Sequence, residues 1–300
     1  MSNLSEAIKE GRFAVTAEVT PPCGGDPEKV KAVASILKGK VHAMVVEANV
    51  DGVHTSSLAA ATHVKSAGVD PVITMLTRDA NRIGLQSSLL GAVSLGIGDV
   101  LVLSGHHQAL TAESQARGVY DVDSIQAIGI FRSMRDGGVL SSGQRMELPV
   151  SVFLGGAANP FAGPIELRAL RVEKKVKAGA DFIITQPVFD LSRFREWLNL
   201  LGGRGVPERV CLIAGIMWLG SADEARKLNE TYRGMNIPEG IIRRLSDAAN
   251  GEREGLLVAS EMVEQVRSLR GVRGIHLWAR GREESLPELL DSAKLYDSEF

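Results

Sequence analysis

Two side chains in this 300-residue sequence are placed to do recognition and acid–base chemistry, Gln186 and Glu18. Gln186 sits in ADFIITQPVFD (180–190), between Thr185 and Pro187, just after a short apolar β-branched run. Its amide carries donors and an acceptor, so at a strand's C-terminal end it can read the edge of a flat heterocycle. It can equally satisfy loop backbone groups. Glu18 lies in Ala17-Glu18-Val19, where an apolar strand would desolvate the carboxyl and raise its pKa toward general-acid use. The alternative is a structural carboxylate paired with an Arg or Lys.

Other polar residues fall where strands are expected to end: Glu47 with Asn49, Thr77 with Arg78 and Asp79, Gly105 with His106 and His107, Asn159, Trp218, and Trp278 with Arg280. Asp79 is expected to cap the helix that follows it. Arg78 suits either a phosphate or carboxylate ligand or a surface ion pair. Adjacent histidines point in different directions, so His106-His107 reads as a hydrogen-bonding loop pair. The six histidines form no HExxH or two-His-one-carboxylate pattern, and no catalytic metal is expected.

The elements that must hold these residues alternate from end to end. Strands are predicted at 13–19, 43–47, 71–75, 100–103, 149–153, 181–185, 210–214 and 274–277. Helical patterns lie between them at 27–37, 56–67, 79–95, 123–136, 165–178, 191–201, 222–230 with 238–249, and 252–269, and a last one at 285–295. Strands apolar on both faces imply parallel pairing under covering helices. Eight such units in this length predict a (β/α)8 TIM barrel forming a single domain over 1–300. An open doubly wound sheet would carry a glycine-rich loop after its first strand. Here that loop is Thr20-Pro21-Pro22-Cys23-Gly24-Gly25, whose prolines lack the N–H groups that cradle a pyrophosphate. No GxxxxGK[ST] loop occurs either.

The formal charge of −2, with acids and bases interspersed, offers no nucleic-acid surface. No run approaches the ~18 apolar residues of a membrane span, and MSNLSEAIKEGRF lacks a signal peptide's apolar segment. Cys23 and Cys211, far apart in sequence, fit a reducing cytoplasm and give no zinc or iron–sulfur set.

Several stretches together resemble methylenetetrahydrofolate reductase. They are AEVTPP (17–22), TRDANRIGLQSSLLGAVSLGIGDVLVLSG (77–105), VYDVDSIQ (119–126), AANPFA (157–162), KKVKAGADFIITQPVFD (174–190) and AGI (214–216). The ending GVRGIHLWARGREESLPELL (271–290) is most similar to small catalytic subunits of anaerobic, acetogen-like bacteria. The resemblance implies a (β/α)8 barrel that reduces 5,10-methylenetetrahydrofolate to 5-methyltetrahydrofolate, with FAD relaying electrons from NADH or NADPH. It makes Glu18 the general acid and sets Gln186 against the pterin, with Asn49, Phe189 and Trp218 on the substrate side. Thr77, Arg78, Gly105, His106, Asp123, Asn159 and Lys175 fall on the cofactor side. From spacing alone, Lys175 is a solvated helix lysine.

The chain departs from the family pattern in places. His106 stands where Gly-Asp is usual, and Glu47-Ala48-Asn49 replaces Thr-Asp-Asn. Arg168 replaces a flavin-contacting acid, and Met217-Trp218 replaces Leu-Pro. A histidine can carry a positive charge that suits a reduced anionic flavin; a flavin-free variant is the other outcome. A second architecture is a folate-reducing subunit fed by an iron–sulfur partner, whose cluster must sit on that other chain. A pterin-dependent methyltransferase barrel is a third. A homo-oligomer is compatible with all of them.

Overall fold

Eight parallel strands close on themselves in sequence order, and β1 pairs with both β2 and β8. The strands are β1 (Ala14–Val19), β2 (Ala43–Val46), β3 (Pro71–Leu76), β4 (Asp99–Leu103), β5 (Phe153–Ala158), β6 (Phe182–Pro187), β7 (Cys211–Met217) and β8 (Val272–Trp278). The helices are α1 (Asn3–Lys9), α2 (Glu28–Leu37), α3 (Ser57–Ser66), α4 (Arg82–Ser94), α5 (Ser124–Arg132), α6 (Ile165–Ala178), α7 (Leu191–Gly202), α8 (Ala222–Thr231), α9 (Glu239–Asp247), α10 (Gly251–Arg267) and α11 (Leu286–Ser292). The structure is a computed structural model and describes residues 2–295 apart from positions 50 and 233. Among the described residues no helix is long and apolar enough to cross a membrane.

The expected (β/α)8 barrel is the observed fold, and most elements fall within a few residues of their predicted bounds. Strand five is the exception: the run 149–153 lies before it, and FLGGAA (153–158) forms the strand. Gly155 and Gly156 read locally as a turn, yet packing demands them. A Cβ on Gly155 would fall inside the Phe182 ring, and one on Gly156 would lie 3.0 Å from Cδ of Lys175. Asp79 does not cap α4 either. Asn81 Oδ1 accepts from the Ile83 and Gly84 amides at 3.1 and 3.0 Å, so the helix starts later. The helix predicted to run to 136 leaves α geometry after Arg132, passes through a wider turn at Ser133–Gly137 and stops at left-handed Gly138.

Alternation along each strand sorts the interior into layers. The lower layers are apolar apart from buried Asp99 at the foot of β4: Ala14, Ala43, Val45, Val72, Leu101, Phe182, Ile184, Cys211 and Ile213 pack with Leu4 and Ile8 of α1. That helix, opened by a reciprocal Ser2/Ser5 capping box, lies across the barrel's N-terminal end. It is held by the Asn3 amide to Asp70 Oδ2 (2.7 Å) and by Arg273 Nη2 to the Ile8 carbonyl (2.6 Å). Two residues further along the same inward faces, the chemistry changes. Thr16, Glu18, Thr74 and His276 are buried polar side chains, so the barrel is dry below and polar toward its C-terminal mouth.

Candidate active site at the barrel mouth

Glu18 is the third inward residue of β1, after Ala14 and Thr16, and only 2% exposed. Its Oε1 accepts the Arg280 backbone N–H at 3.0 Å, and no Lys or Arg side chain bridges it among the described residues. Burial pushes its pKa well above the usual carboxylate range, and the neighbouring Glu47 pushes it further. Beneath it on β8, His276 holds Nδ1 3.0 Å from Thr16 Oγ1 and Nε2 4.0 Å from Glu18 Oε2. That last distance would suit an ion pair, but burial brings His276 down to about 3. We therefore read a neutral imidazole beside a protonated carboxyl, because both charged forms would lose their hydration in this layer. The edge of Trp278 closes the other side of the imidazole, with ring centroids 5.3 Å apart.

Gln186 lies at the C-terminal end of β6, past Phe182 and Ile184, where the register against β7 shifts between Ile184 and Pro187. It is half-buried, and its side-chain amide has no hydrogen-bond partner among the described residues. The Trp278 indole spans toward it from β8, donating to the Thr185 carbonyl at 3.3 Å. Gly215 of β7 makes this crossing possible, because a Cβ there would lie 2.7 Å from the indole nitrogen and 2.8 Å from the Gln186 backbone. Phe189, Met217, Tyr232 and Trp278 belong to one apolar cluster built on the loops after β6 and β7. The Glu18 and Gln186 strands thus open onto one mouth with an aromatic wall beside them.

Arg280 closes part of that mouth. Its guanidinium lies 4.8 Å over the Tyr232 ring and donates to the phenol oxygen at 3.0 Å, while Tyr232 donates to Asp51 Oδ2 at 3.1 Å. The loops after β8, β7 and β2 are joined by this chain. The His106 ring stands 6.1 Å from Tyr232, which brings in the loop after β4.

On the β3–β4 side, Arg78 is buried and clamps three loops. It binds Asp79 through Nε (2.6 Å) and Nη2 (3.0 Å), and it donates to the carbonyls of His106 (3.1 Å) and Asn49. Of the two readings, the ion pair is the one seen, with Arg78 buried and Asp79 38% exposed. Gly105 is left-handed (φ 83°), and a Cβ there would press on Arg78 at 3.2 Å. Thr77 is fully buried, and its hydroxyl has no hydrogen-bond partner. Asn49 Oδ1 accepts the His54 amide at 3.0 Å, and His107 caps a short turn at 108–110.

Three expected site residues are held by hydrogen bonds within the fold. Trp218 is turned outward: its indole donates to the Glu252 carbonyl at 2.8 Å, in the layer between barrel and α10. Asp123 caps α5 in a reciprocal box with Gln126, and Asn159 Oδ1 accepts the Phe161 and Ala162 amides. Lys175 is not solvated. It is buried, donates to the Ala157 carbonyl at 2.5 Å, and is brought down to about 8 by burial. His276, Thr16 and Tyr232 carried no motif in the sequence; period-2 alternation from Glu18 along β1 is the signal that points to Thr16, and alternation from Trp278 along β8 the one that points to His276.

The family description "Methylenetetrahydrofolate reductase" matches residues 3–294. A relative from Caenorhabditis elegans, named "Probable methylenetetrahydrofolate reductase (NADPH)", is 24% identical over 256 residues, 84% of this chain. The chain spans only 36% of that relative's length. Among solved structures, "Uncharacterized protein from Clostridium thermocellum binds two copies of 5-methyl-5,6,7,8-tetrahydrofolic acid" superposes with a TM-score of 0.69 at 14% identity, covering 97% of this chain and 96% of that one. A tryptophan synthase from M. tuberculosis superposes with a TM-score of 0.52 at 12% identity, covering 98% and 97%. Likeness at such identities is likeness of fold. The family match runs through every strand of the barrel, and on that extent the chain belongs to the methylenetetrahydrofolate reductase family.

Proposed function

We propose that the barrel mouth reduces 5,10-methylenetetrahydrofolate to 5-methyltetrahydrofolate, with Glu18 as general acid. The observation that carries this is a carboxyl sealed at 2% exposure, without an Arg or Lys salt bridge among the described residues, whose burial raises its pKa well above the usual carboxylate range. The proton passes from the Glu18 carboxyl to the folate nitrogen as its bond to the bridging methylene breaks, leaving an iminium on the other nitrogen. A hydride then reduces the iminium carbon to a methyl group, and Glu18 is reprotonated from solvent. The Gln186 amide binds the pterin edge and fixes its orientation, while Phe189 and Trp278 exclude water beside it. The 5-methyltetrahydrofolic acid bound by the Clostridium thermocellum protein is the product of this reaction.

FAD is the hydride carrier we assign to the site, with NADH or NADPH as the external donor. The residues on the β3–β4 side fit a flavin ring. Thr77 offers a buried hydroxyl with no hydrogen-bond partner among the described residues, and Gly105 lets its loop lie close against the Arg78 side chain. His106 lies on the same rim. When bound, the flavin would supply two-electron transfer between nicotinamide and folate.

Glu18→Gln tests the assignment, because the amide keeps the shape and the Arg280 N–H acceptor but holds no acidic proton. Folate turnover should fall by about 10²–10⁴-fold, the usual contribution of a general acid, while donor oxidation with a dye acceptor stays near wild type. Equal damage to both half-reactions would assign Glu18 a structural role. The absorption spectrum with and without added FAD tests the cofactor directly, and a protein that never takes up the yellow chromophore would remove FAD from the scheme.

A further inference from the structure

Glu18 does not face the mouth alone. By strand register it is level with Val45 of β2, and alternation from Ala43 and Val45 turns Glu47 inward one rung above. Two carboxyls therefore stand on adjacent strands at adjacent levels. Asp51 and Glu283 complete the acidic surroundings, with the Thr20 amide donating to Glu283 Oε1 at 3.4 Å. Against these four carboxyls the nearby basic groups are Arg280, whose guanidinium is turned to Tyr232, His54 on the loop after β2, and the neutral His276. Four carboxylates cannot all stay ionised in a half-dry mouth with that little compensation.

The two glutamates are not equivalent. Glu47 is half-buried and reaches the rim, and Thr20 Oγ1 donates to its Oε2 at 2.5 Å. A hydroxyl donor of that kind favours the ionised form. Glu18 is sealed below, and its Oε2 faces a neutral imidazole. Burial raises the Glu47 pKa as well, with the Thr20 donor opposing it, while Glu18 is raised further despite the Arg280 N–H; the negative charge is therefore cheaper on Glu47, and its presence there makes a second charge on Glu18 harder to form.

We propose that Glu47 is a positioning residue that shares one proton with Glu18 and, by carrying the charge itself, keeps that proton on Glu18. This rests on the general-acid reading above. It also gives a purpose to the Glu47-Ala48-Asn49 sequence, where the first residue supplies a carboxylate rather than a hydroxyl. The upward pressure of Glu47 on Glu18 is consistent with the arrangement.

Infrared difference titration of the folded wild-type protein, Glu18→Gln, Glu47→Gln and Glu47→Asp reads the pair without requiring turnover. Wild type should show, at pH 7, a protonated-carboxyl band that Glu18→Gln removes. In Glu47→Gln the titration midpoint of that band should fall by about one pH unit or more, a tenfold loss of proton affinity, and Glu47→Asp should restore most of it. The alkaline limb of folate turnover should move down by the same amount. Should Glu47→Gln fail to fold, Thr20→Val provides the second arm: without the hydroxyl, Glu47 competes for the proton and the Glu18 midpoint again falls. A midpoint that stays at the wild-type value in these variants overturns the proposal, as does the absence of a Glu18-dependent band at pH 7. A uniform loss of turnover at every pH with an unmoved midpoint would likewise reduce Glu47 to a structural residue. Failure of folate turnover in the wild type itself would instead strike the proposed function, and the infrared result would stand apart from it.

Discussion

His276 gives the sharpest quantitative test of how this mouth stores protons. The imidazole is 2% exposed, bonded through Nδ1 to Thr16 and covered by Trp278, and burial brings its pKa down to about 3 from an ordinary 6.5. The folded value lies below the unfolded one, so the unfolded chain takes up a proton first as the pH falls. Stability linked to His276 is therefore fully present above about pH 6.5 and is lost as the pH drops toward 3. At about 1.4 kcal/mol per pH unit, this group alone costs roughly 2 kcal/mol of stability between pH 7 and pH 5. His276→Asn removes that dependence while keeping a polar group near Thr16. The variant will be less stable than wild type at pH 7 because it loses ring packing. Its deficit should shrink by roughly 2 kcal/mol at pH 5, a few degrees in Tm for a chain of this size. Denaturant unfolding of both proteins at several pH values between 7 and 5 measures the difference, in which the titrations of all other carboxyls cancel. Parallel stability curves would refute the reasoning. They would mean that the folded imidazole takes up its proton in the same pH range as the unfolded one; a wild type that instead gained stability over the variant as the pH fell would mean a charged imidazole paired across 4.0 Å with an ionised Glu18.

Two further perturbations bear on the scaffold. Gly155→Ala should destabilise the barrel by about 1–2 kcal/mol despite the usual gain from replacing a strand glycine, because the added methyl meets the Phe182 ring stacked on Phe153. Adding Phe182→Leu should recover part of the loss in a double-mutant cycle, and independent effects would disprove the contact. Asp99, which burial pushes up to about 7, has the opposite sign to His276: its stabilisation is present at low pH and is lost as the pH rises from about 4 through 7. Asp99→Asn should flatten that slope by a few kcal/mol in unfolding experiments, and an unchanged slope would show the carboxyl to be hydrated.

The barrel was legible because its strands are short β-branched runs that need cover on both faces, and its helices carry the 3.6-residue period. What failed locally was set by distant contacts. Gly155-Gly156 looks like a turn until the Phe182 ring is seen to need the space of the missing side chains. The Asn81 cap could not be told from an Asp79 cap, because Arg78 claims the Asp79 carboxylate only once the loops after β2 and β4 converge on it. In the site, Glu18 and Gln186 were readable as polar residues inside apolar strands; alternation turns Glu18 inward, while at Gln186 the register against β7 shifts. Sidedness defeated the reading of Trp218, one residue past the end of β7 and turned to the outer layer. Lys175 shows the reverse: its helix position suggested solvent, but the small residues of β5 admit its chain to the Ala157 carbonyl. Tyr232 carries no local signal, since its partners Arg280 and Asp51 lie 48 and 181 positions away.

The helix laid across the N-terminal end bears on how the proposed general acid would be recharged. Leu4 and Ile8 stopper the lower layers, and among the described residues the polar contacts below Glu18 run through His276 and Thr16 to the Ile275 carbonyl and stop there. In the proposed reaction, supply would come down from the same opening that takes the pterin. While a ligand filled that opening, the carboxyl would have one proton to give, so each bound folate would be protonated once, and recharging would wait for product to leave.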